Sequence, residues 1–476
     1  MDIDTLRVIF RVIEFFFTVY LLAYILFMIL AVTVGAVTLY EQRINKIGMK
    51  EIERDYFVPV SIIIPAHNER VTVCDTVKSL LKLDYQIYEI IVVDDGSTDG
   101  TAELVQSCFN MQKITRPLRR TIDCGHETGI WVTYEHGRAI TLISKVNGGK
   151  ADALNAGINA SEYPYVLCMD ADSMLQNDSL RNIAAKVIEE DDVLAVGGMI
   201  RIINSVTLKD GFVAEYKLPE SLVQCMQVLE YDRSFLASRI LFDKFNGNLI
   251  ISGAFGLFQK AFLLDIGGYS TDTMGEDMEL VVRMHAFARA NRIPYKIRYA
   301  PDAVCWSQAP STLRDLCRQR RRWHIGLFQS ISRHRGMLFD LRYGALSFVS
   351  FVYFSVYELF SPYIETFGVI SIALAFRLRI VNMQSMTELL LMYMLLSALM
   401  GITAFFSRVM SMELHLSKRD ILKAVLVSFV ENIGLRTLLF WTRFTALIGY
   451  NKKKNDWGTI KRHRYNGMDE SEDDEK

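Results

Sequence analysis

The stretch "YEIIVVDDGSTDGT", Tyr88 to Thr101, decides the fold. Its first half is apolar and β-branched. It ends in two aspartates and a turn rich in Gly, Ser and Thr, the pattern of a buried strand that opens into a loop. Five further runs of this kind punctuate the chain: "VSIIIPA" from Val60, "ITLISKVN" from Ile140, "YPYVLCMDAD" from Tyr163, "VLAVGGMIRI" from Val193 and "YKIRYAPDAVCW" from Tyr295. Helix-like stretches separate them, so the alternation predicts an α/β domain with a mainly parallel sheet. In such sheets ligands sit beyond the carboxyl ends of the strands, where loops and helix N-termini converge.

Those ends carry acids. Asp94 and Asp95 follow Val93, and Asp170 and Asp172 follow Met169 as "DAD". An Asp-X-Asp at a strand end presents two hard oxygen ligands, suited to Mg2+ or Mn2+ on a diphosphate with waters retained. The same aspartates fit equally well as turn or helix-cap residues. Between the two acidic ends lies "NGGKADALNAG". There Gly148 and Gly149 let backbone approach a ligand and Lys150 offers charge to phosphate, without the spacing of a Walker A loop.

The chain has 476 residues, 51% of them hydrophobic, which points to a soluble unit joined to membrane segments. A net charge of -1 gives no argument for nucleic acid as a partner. Cys74, Cys108, Cys124, Cys168, Cys225, Cys305 and Cys317 are scattered without zinc-like spacing and read as reduced thiols facing a cytosol. Phe10 to Tyr40 is long and apolar enough for a retained spanning helix. Arg43, Lys46, Lys50 and Arg54 follow it and place the next domain in the cytoplasm by the positive-inside bias. A second apolar zone runs through Tyr343–Phe376, Met386–Phe406 and Ile421–Tyr450, with room for two to four crossings and with part of the last piece lying on the interface. Glu358, Pro362 and Glu365 interrupt it, and such residues persist in hydrocarbon only when buried in protein or lining a wet cavity. The expected organisation is an anchor and linker over 1–53, a soluble domain over 54–335, membrane and interfacial helices over 336–450, and a charged cytoplasmic tail over 451–476.

With these residues assembled, the chain resembles the membrane-embedded, processive members of glycosyltransferase family 2, the cellulose, chitin, hyaluronan and poly-N-acetylglucosamine synthases. The motifs occur in order. "SIIIPAHNE" is similar to the opening nucleotide strand, "VVDDGSTDGT" to the uridine loop, "GGKADALN" to the lysine loop and "DAD" to the metal motif. "MGEDMEL" resembles the Thr-Glu-Asp or Gly-Asp-Asp acceptor motif, and "QRRRW", Gln319 to Trp323, fits Gln-X-X-Arg-Trp. Two departures stand out: Gly275 occupies the Thr position of the acceptor motif, and one clear N-terminal span precedes the domain. The resemblance implies an α/β GT-A (Rossmann-like) cytoplasmic domain between transmembrane helices in a multi-pass protein of the cell membrane. It further implies a UDP-sugar donor, a growing glycan acceptor, the lipid bilayer and accessory export subunits as partners, and inverting extension of a β-linked glycan from UDP-GlcNAc or UDP-Glc. Two other readings stay open, transfer of a single sugar to a polyprenyl-phosphate lipid and a non-catalytic membrane receptor or scaffold.

The resemblance also distributes roles. Asp277 is the general base, with Glu276 positioning the acceptor or raising the pKa of its neighbour. Asp277 serves alternatively as a cap for the helix that begins near Met278. Asp170 and Asp172 hold Mg2+ or Mn2+. Pro65, Ala66, Asn68, Glu69, Asp94, Asp95, Gly149 and Lys150 surround the donor. Ser252 and Gly253, within "NLIISGAFGLF", wall the growing chain or belong to a plain buried strand and turn. Met111 to Gly137 is expected to be an inserted loop or hairpin. If "RDLCRQRRRWHIG" is helical, Gln319, Arg322 and Trp323 share one face and close over the site, while Arg318 and Arg321 meet solvent or lipid headgroups. The whole run serves alternatively as a basic membrane-surface patch.

Overall fold

The structure is a computed structural model and describes residues 3–49, 56–209, 211–378, 383–411 and 414–450. Lys50, Arg54 and the 451–476 tail lie outside the described residues. The strands are β1 (Val60–Ala66), β2 (Tyr88–Asp94), β3 (Gln112–Ile114), β4 (Glu127–Glu135), β5 (Arg138–Lys145), β6 (Tyr165–Met169), β7 (Ser173–Leu175), β8 (Val193–Ile202), β9 (Val206–Lys209), β10 (Phe212–Tyr216), β11 (Phe255–Gln259) and β12 (Lys296–Ser307). Among the described residues, all but β9 and β10 form one sheet in the order β3-β4-β5-β2-β1-β6-β11-β8-β12-β7.

The centre of the sheet is parallel, β5 to β2 to β1 to β6, and β8 runs parallel to β12. Strand periodicity explains why it is buried on both faces. Ile62, Ile64, Ile90 and Val92 pack into one apolar cluster, while Ile63, Ile91 and Val93 enter the other. Alternate residues point to opposite faces, so a continuous apolar run fills two cores, each fully buried Ile contributing about 1.5–3 kcal/mol.

The sheet is mixed rather than simply mainly parallel. β11 is antiparallel to both β6 and β8, with Phe255 opposite Met169. An antiparallel strand starts where its parallel neighbours end. Ser252 and Gly253, just before β11, are thereby delivered to the same edge as Asp170. The 111–137 segment is the hairpin alternative: β4 turns at His136 and Gly137, both with positive φ, into β5, and β3 adds to its outer side.

One helix, Ile3–Met49, contains the apolar segment Thr5–Ile44, and Leu391–Ser411 is a second helix long and apolar enough to cross a membrane. Two bent pairs add up to two more: Leu346–Leu359 with Ser361–Arg377 at 53°, and Lys418–Glu431 with Leu435–Phe444 at 41°. Pro362 sits in the first turn of Ser361–Arg377, where its missing N–H costs nothing, and the preceding helix ends there. The sheet domain is joined to these helices through Leu222–Arg233, whose Cys225, Met226 and Leu229 pack with Phe405, Val409 and Val427. Arg233 also meets Glu431 at 2.8 Å.

Candidate active site

Four segments converge at the end of β6. Lys150 opens the helix Lys150–Ala160, and its Nζ lies 2.5 Å from Asp170 Oδ1 and 3.6 Å from Glu276 Oε1. It also donates to the Gly253 carbonyl at 3.4 Å, while the Gly253 N–H donates to Asp277 Oδ2 at 3.2 Å. Glu276 and Asp277 are the first two residues of the helix Glu276–Ala290, where the positive end of the helix dipole favours carboxylates. The N-cap is Gly275, so Asp277 stands inside the first turn rather than capping it.

This is one ammonium facing three acids. Burial works against the charged form of Lys150, but Asp170 and Glu276 outweigh it and hold Lys150 above the ordinary lysine range. Burial pushes the Glu276 carboxyl up to about 7; Lys150 pulls it down, the neighbouring Asp277 charge pushes it up, and Arg322 pulls from the next helix. Asp172 is buried and accepts from Ser173 Oγ at 3.4 Å.

A second cluster holds the loops on the β1–β2 side. Asp95 Oδ1 accepts from Lys145 Nζ at 2.5 Å and from the Gly148 N–H at 2.9 Å, and its Oδ2 accepts from the Gly149 N–H at 2.7 Å. Lys145 is fully buried and also pairs with Asp152. Asp95 therefore clamps the loop whose next residue is Lys150. Gly96, with φ +67, lies against this loop, and a Cβ there would sit 2.9 Å from the Asn147 nitrogen. Asp94 is buried, which raises its pKa, and accepts from the Ser97 N–H at 3.3 Å. Pro65 and Ala66 pair in register with Val93 and Asp94, and the Ala66 carbonyl accepts from the Asp95 N–H at 2.8 Å. Asn68 bonds Ser97 and Thr98, and the Glu69 N–H donates to Thr101 Oγ1 at 3.1 Å.

The helix Leu313–Arg333 packs against the start of the Glu276–Ala290 helix. Thr312 caps it by accepting the Asp315 N–H. Gln329 fastens it to the loop before Gly275, its Oε1 accepting from Thr273 Oγ1 at 3.0 Å and the Met274 N–H at 2.8 Å. Arg320 is buried, pairs with Glu230 at 2.6 Å and lies 4.3 Å from the centroid of the Trp323 ring, which is 42% exposed.

A family described as "Glycosyltransferase like family 2" matches residues 128–326, and "Glycosyl transferase family 2" matches 61–130. The chain is a family 2 glycosyltransferase. Similar proteins include the poly-β-1,6-N-acetyl-D-glucosamine synthases of Staphylococcus epidermidis and Staphylococcus aureus (strain COL), each 29% identical over 346 residues that cover 70% of this chain and 73% of the relative. Among solved structures, a mannosyltransferase from Pyrobaculum calidifontis in complex with GDP-Man and Mn2+ aligns with a TM-score of 0.48 at 18% identity, over 87% of this chain and 99% of that one. The mixed sheet and flanking helices are those of a GT-A domain in a membrane protein, and the transferase takes a nucleotide-sugar donor and a glycan acceptor.

In this glycosyltransferase the structure brings Gly149, Lys150, Asp170, Gly253, Glu276 and Asp277 together, with the positive charge of Arg322 acting on Glu276. Pro65 to Glu69 and Asp94 to Asp95 form the adjoining cradle, with Gly149 common to both. Ser252 stands one residue before Gly253, and Gln319 is half-buried, its Oε1 without a partner among the described residues. Arg318 is exposed and meets Asp315 at 3.4 Å. Arg321 is half-buried, with its Nε enclosed. Sequence reasoning missed Lys145, Arg320, Glu230, Gln329 and His324, the last with both ring nitrogens buried and unpartnered among the described residues. Arg320 was within reach, because it precedes Trp323 by three residues on a helix. Lys145 was not, since its partners come from strand register.

Proposed function

We propose that this glycosyltransferase is a membrane-embedded polysaccharide synthase that transfers N-acetylglucosamine from UDP-N-acetylglucosamine to a growing β-linked glycan, with inversion, from a cytoplasmic catalytic domain. The observation that carries the reading is the seating of Asp277 against the Gly253 N–H, beside the Lys150–Asp170 pair, at the start of a helix whose N-cap Gly275 packs on the helix bearing Arg322 and Trp323. The staphylococcal relatives, by name poly-β-1,6-N-acetyl-D-glucosamine synthases, favour this donor over UDP-glucose.

Asp277 accepts the proton of the acceptor hydroxyl as its oxygen forms a bond to the anomeric carbon. The bond from that carbon to the diphosphate oxygen breaks on the opposite face, and UDP leaves with the electron pair. Lys150 and Arg322 meet the charge that develops on the diphosphate. Glu276, poised near neutrality, orients the acceptor hydroxyl, and Trp323 offers a flat wall to the acceptor sugar. Asp94, Asp95 and the 65–69 segment hold the uridine side.

Among the described residues no three His, Cys, Asp or Glu side chains are grouped to hold a cation alone. Asp170 and Asp172 supply two hard oxygens at one strand end, which fits a Mg2+ or Mn2+ ion that takes its remaining ligands from diphosphate and water. When bound, such an ion supplies charge neutralisation to the leaving diphosphate.

The ion pairs Arg233–Glu431 at 2.8 Å and Arg443–Glu358 at 3.1 Å set polar groups among the apolar helices, which fits a hydrophilic route for export of the glycan, with accessory subunits as partners. Incubating membranes with individual labelled UDP-sugars and Mg2+ or Mn2+, then separating the products, tests the reading. A ladder or polymer from UDP-N-acetylglucosamine is expected. A single lipid-linked sugar as the sole product would replace it with the polyprenyl-phosphate transferase.

A further inference from the structure

Two thiols stand together outside the catalytic centre. Cys74 is the second residue of the helix Val73–Leu80, and Cys108 is the last of Thr101–Cys108. Cys74 Sγ donates to Cys108 Sγ at 2.8 Å across 34 residues of sequence. Bonding two sulfurs requires about 2 Å, so closing this gap takes a movement of under about 1 Å. Their exposure differs: Cys74 is buried and Cys108 exposed.

We propose that Cys108 and Cys74 form a reversible peroxide-reactive pair, in which Cys108 is oxidised first and Cys74 resolves it to a disulfide. The Cys108 thiolate attacks one oxygen of hydrogen peroxide. The O–O bond breaks, hydroxide leaves and is protonated to water, and Cys108 becomes a sulfenic acid. The Cys74 sulfur then attacks the Cys108 sulfur. The S–O bond breaks, and the departing hydroxide takes the Cys74 proton as a second water. Two thiols lose two electrons in all and the peroxide gains them.

The asymmetry sets the order. Burial and the hydrogen bond to Cys108 hold the Cys74 thiol far above its ordinary range, so it is the poorer first nucleophile. Its contact with Cys108 makes it the nearest sulfur once the sulfenic acid forms. The disulfide requires little movement, because the two sulfurs already lie 2.8 Å apart. The exposed thiol is thereby diverted from irreversible sulfinic and sulfonic acids.

The test uses the full chain in membranes, exposed to hydrogen peroxide, alkylated and mapped by peptide mass spectrometry. Wild type should yield a Cys74–Cys108 cross-linked peptide that dithiothreitol returns to two thiols. Cys74→Ser should instead carry Cys108 to the sulfinic and sulfonic states. Cys108→Ser, a surface change that leaves the fold intact, should give no cross-link and a reduced Cys74. The proposal is overturned if Cys108 in wild type is over-oxidised as fast as in Cys74→Ser. It is equally overturned if Cys108 stays reduced at a peroxide concentration that oxidises Cys317.

Discussion

Gly275 and Gly326 meet backbone to backbone. A Cβ on Gly275 would lie 2.9 Å from Gly326 Cα, and one on Gly326 would lie 2.7 Å from both Gly275 Cα and its nitrogen. The N-terminus of the helix that carries Glu276 and Asp277 thus rests directly on the helix that carries Arg322 and Trp323. This contact accounts for glycine where the related motif has threonine. Gly326→Ala should push the two helices apart and lower turnover by about 100-fold, the order of effect of a ~1 Å misplacement, with UDP affinity retained. Steady-state transfer and UDP titration on the same preparation check it; unchanged turnover would show that the contact is dispensable.

Asp277→Asn should cut turnover by about 10²–10⁴-fold while UDP affinity stays within a few-fold, because it removes a proton acceptor and no donor ligand. Asp172→Asn should instead weaken metal-dependent UDP binding together with turnover. UDP titrations with and without Mn2+ separate the two roles.

Glu276 gives a pH dependence of known sign. Its folded-state pKa is raised to about 7 from an ordinary 4.5, so the folded protein holds more protons than the unfolded chain between those values. Stability must therefore fall as pH rises across that window. Thermal unfolding of the detergent-solubilised protein from pH 5 to 8 should show this decline, and Glu276→Gln should flatten it. Parallel curves for the two proteins would remove Glu276 as its source.

Lys145 is fully buried between Asp95 and Asp152. Lys145→Met should destabilise the domain by about 3–5 kcal/mol, because two buried carboxylates lose their counter-charge. It should also loosen Gly148 and Gly149 and weaken UDP binding, whereas Arg318→Ala on the exposed face should change neither. Chemical denaturation and UDP titration read both effects.

Arg322→Ala and Trp323→Ala should each abolish polymer while membrane insertion persists. Arg320→Ala should lower polymer yield without contacting sugar, since it removes the cation stacked on Trp323 and leaves Glu230 unpaired. Equal modest losses at all of these positions that track anionic lipid content would instead favour a surface patch.

Much of the catalytic domain was legible because its strands are apolar on both faces and end in acids. "VSIIIPA" coincides with β1, and "VLAVGGMIRI" with β8. The reversed course of β11 was not legible, because period-two burial looks the same in either direction and only pairing partners distinguish them. Lys150, Asp170 and Asp277 could be named from local motifs, but the Asp95–Lys145–Asp152 cluster depends on β2 and β5 lying side by side. Gly275 looked like a departure in one dimension. It becomes a packing requirement only when the partner helix is present.

The reversal of β11 makes the site unequally tolerant of length changes. A residue inserted between Gly253 and Phe255 would advance the chain by about 3.3 Å at the catalytic edge and turn alternate side chains to the other face. Gly253 would then no longer serve Lys150 and Asp277 at once. The same insertion after Gln259, where β11 leaves the sheet opposite Tyr165, falls at the far edge and leaves that geometry alone. Length variation in this transferase should therefore be absorbed behind β11 and forbidden in front of it.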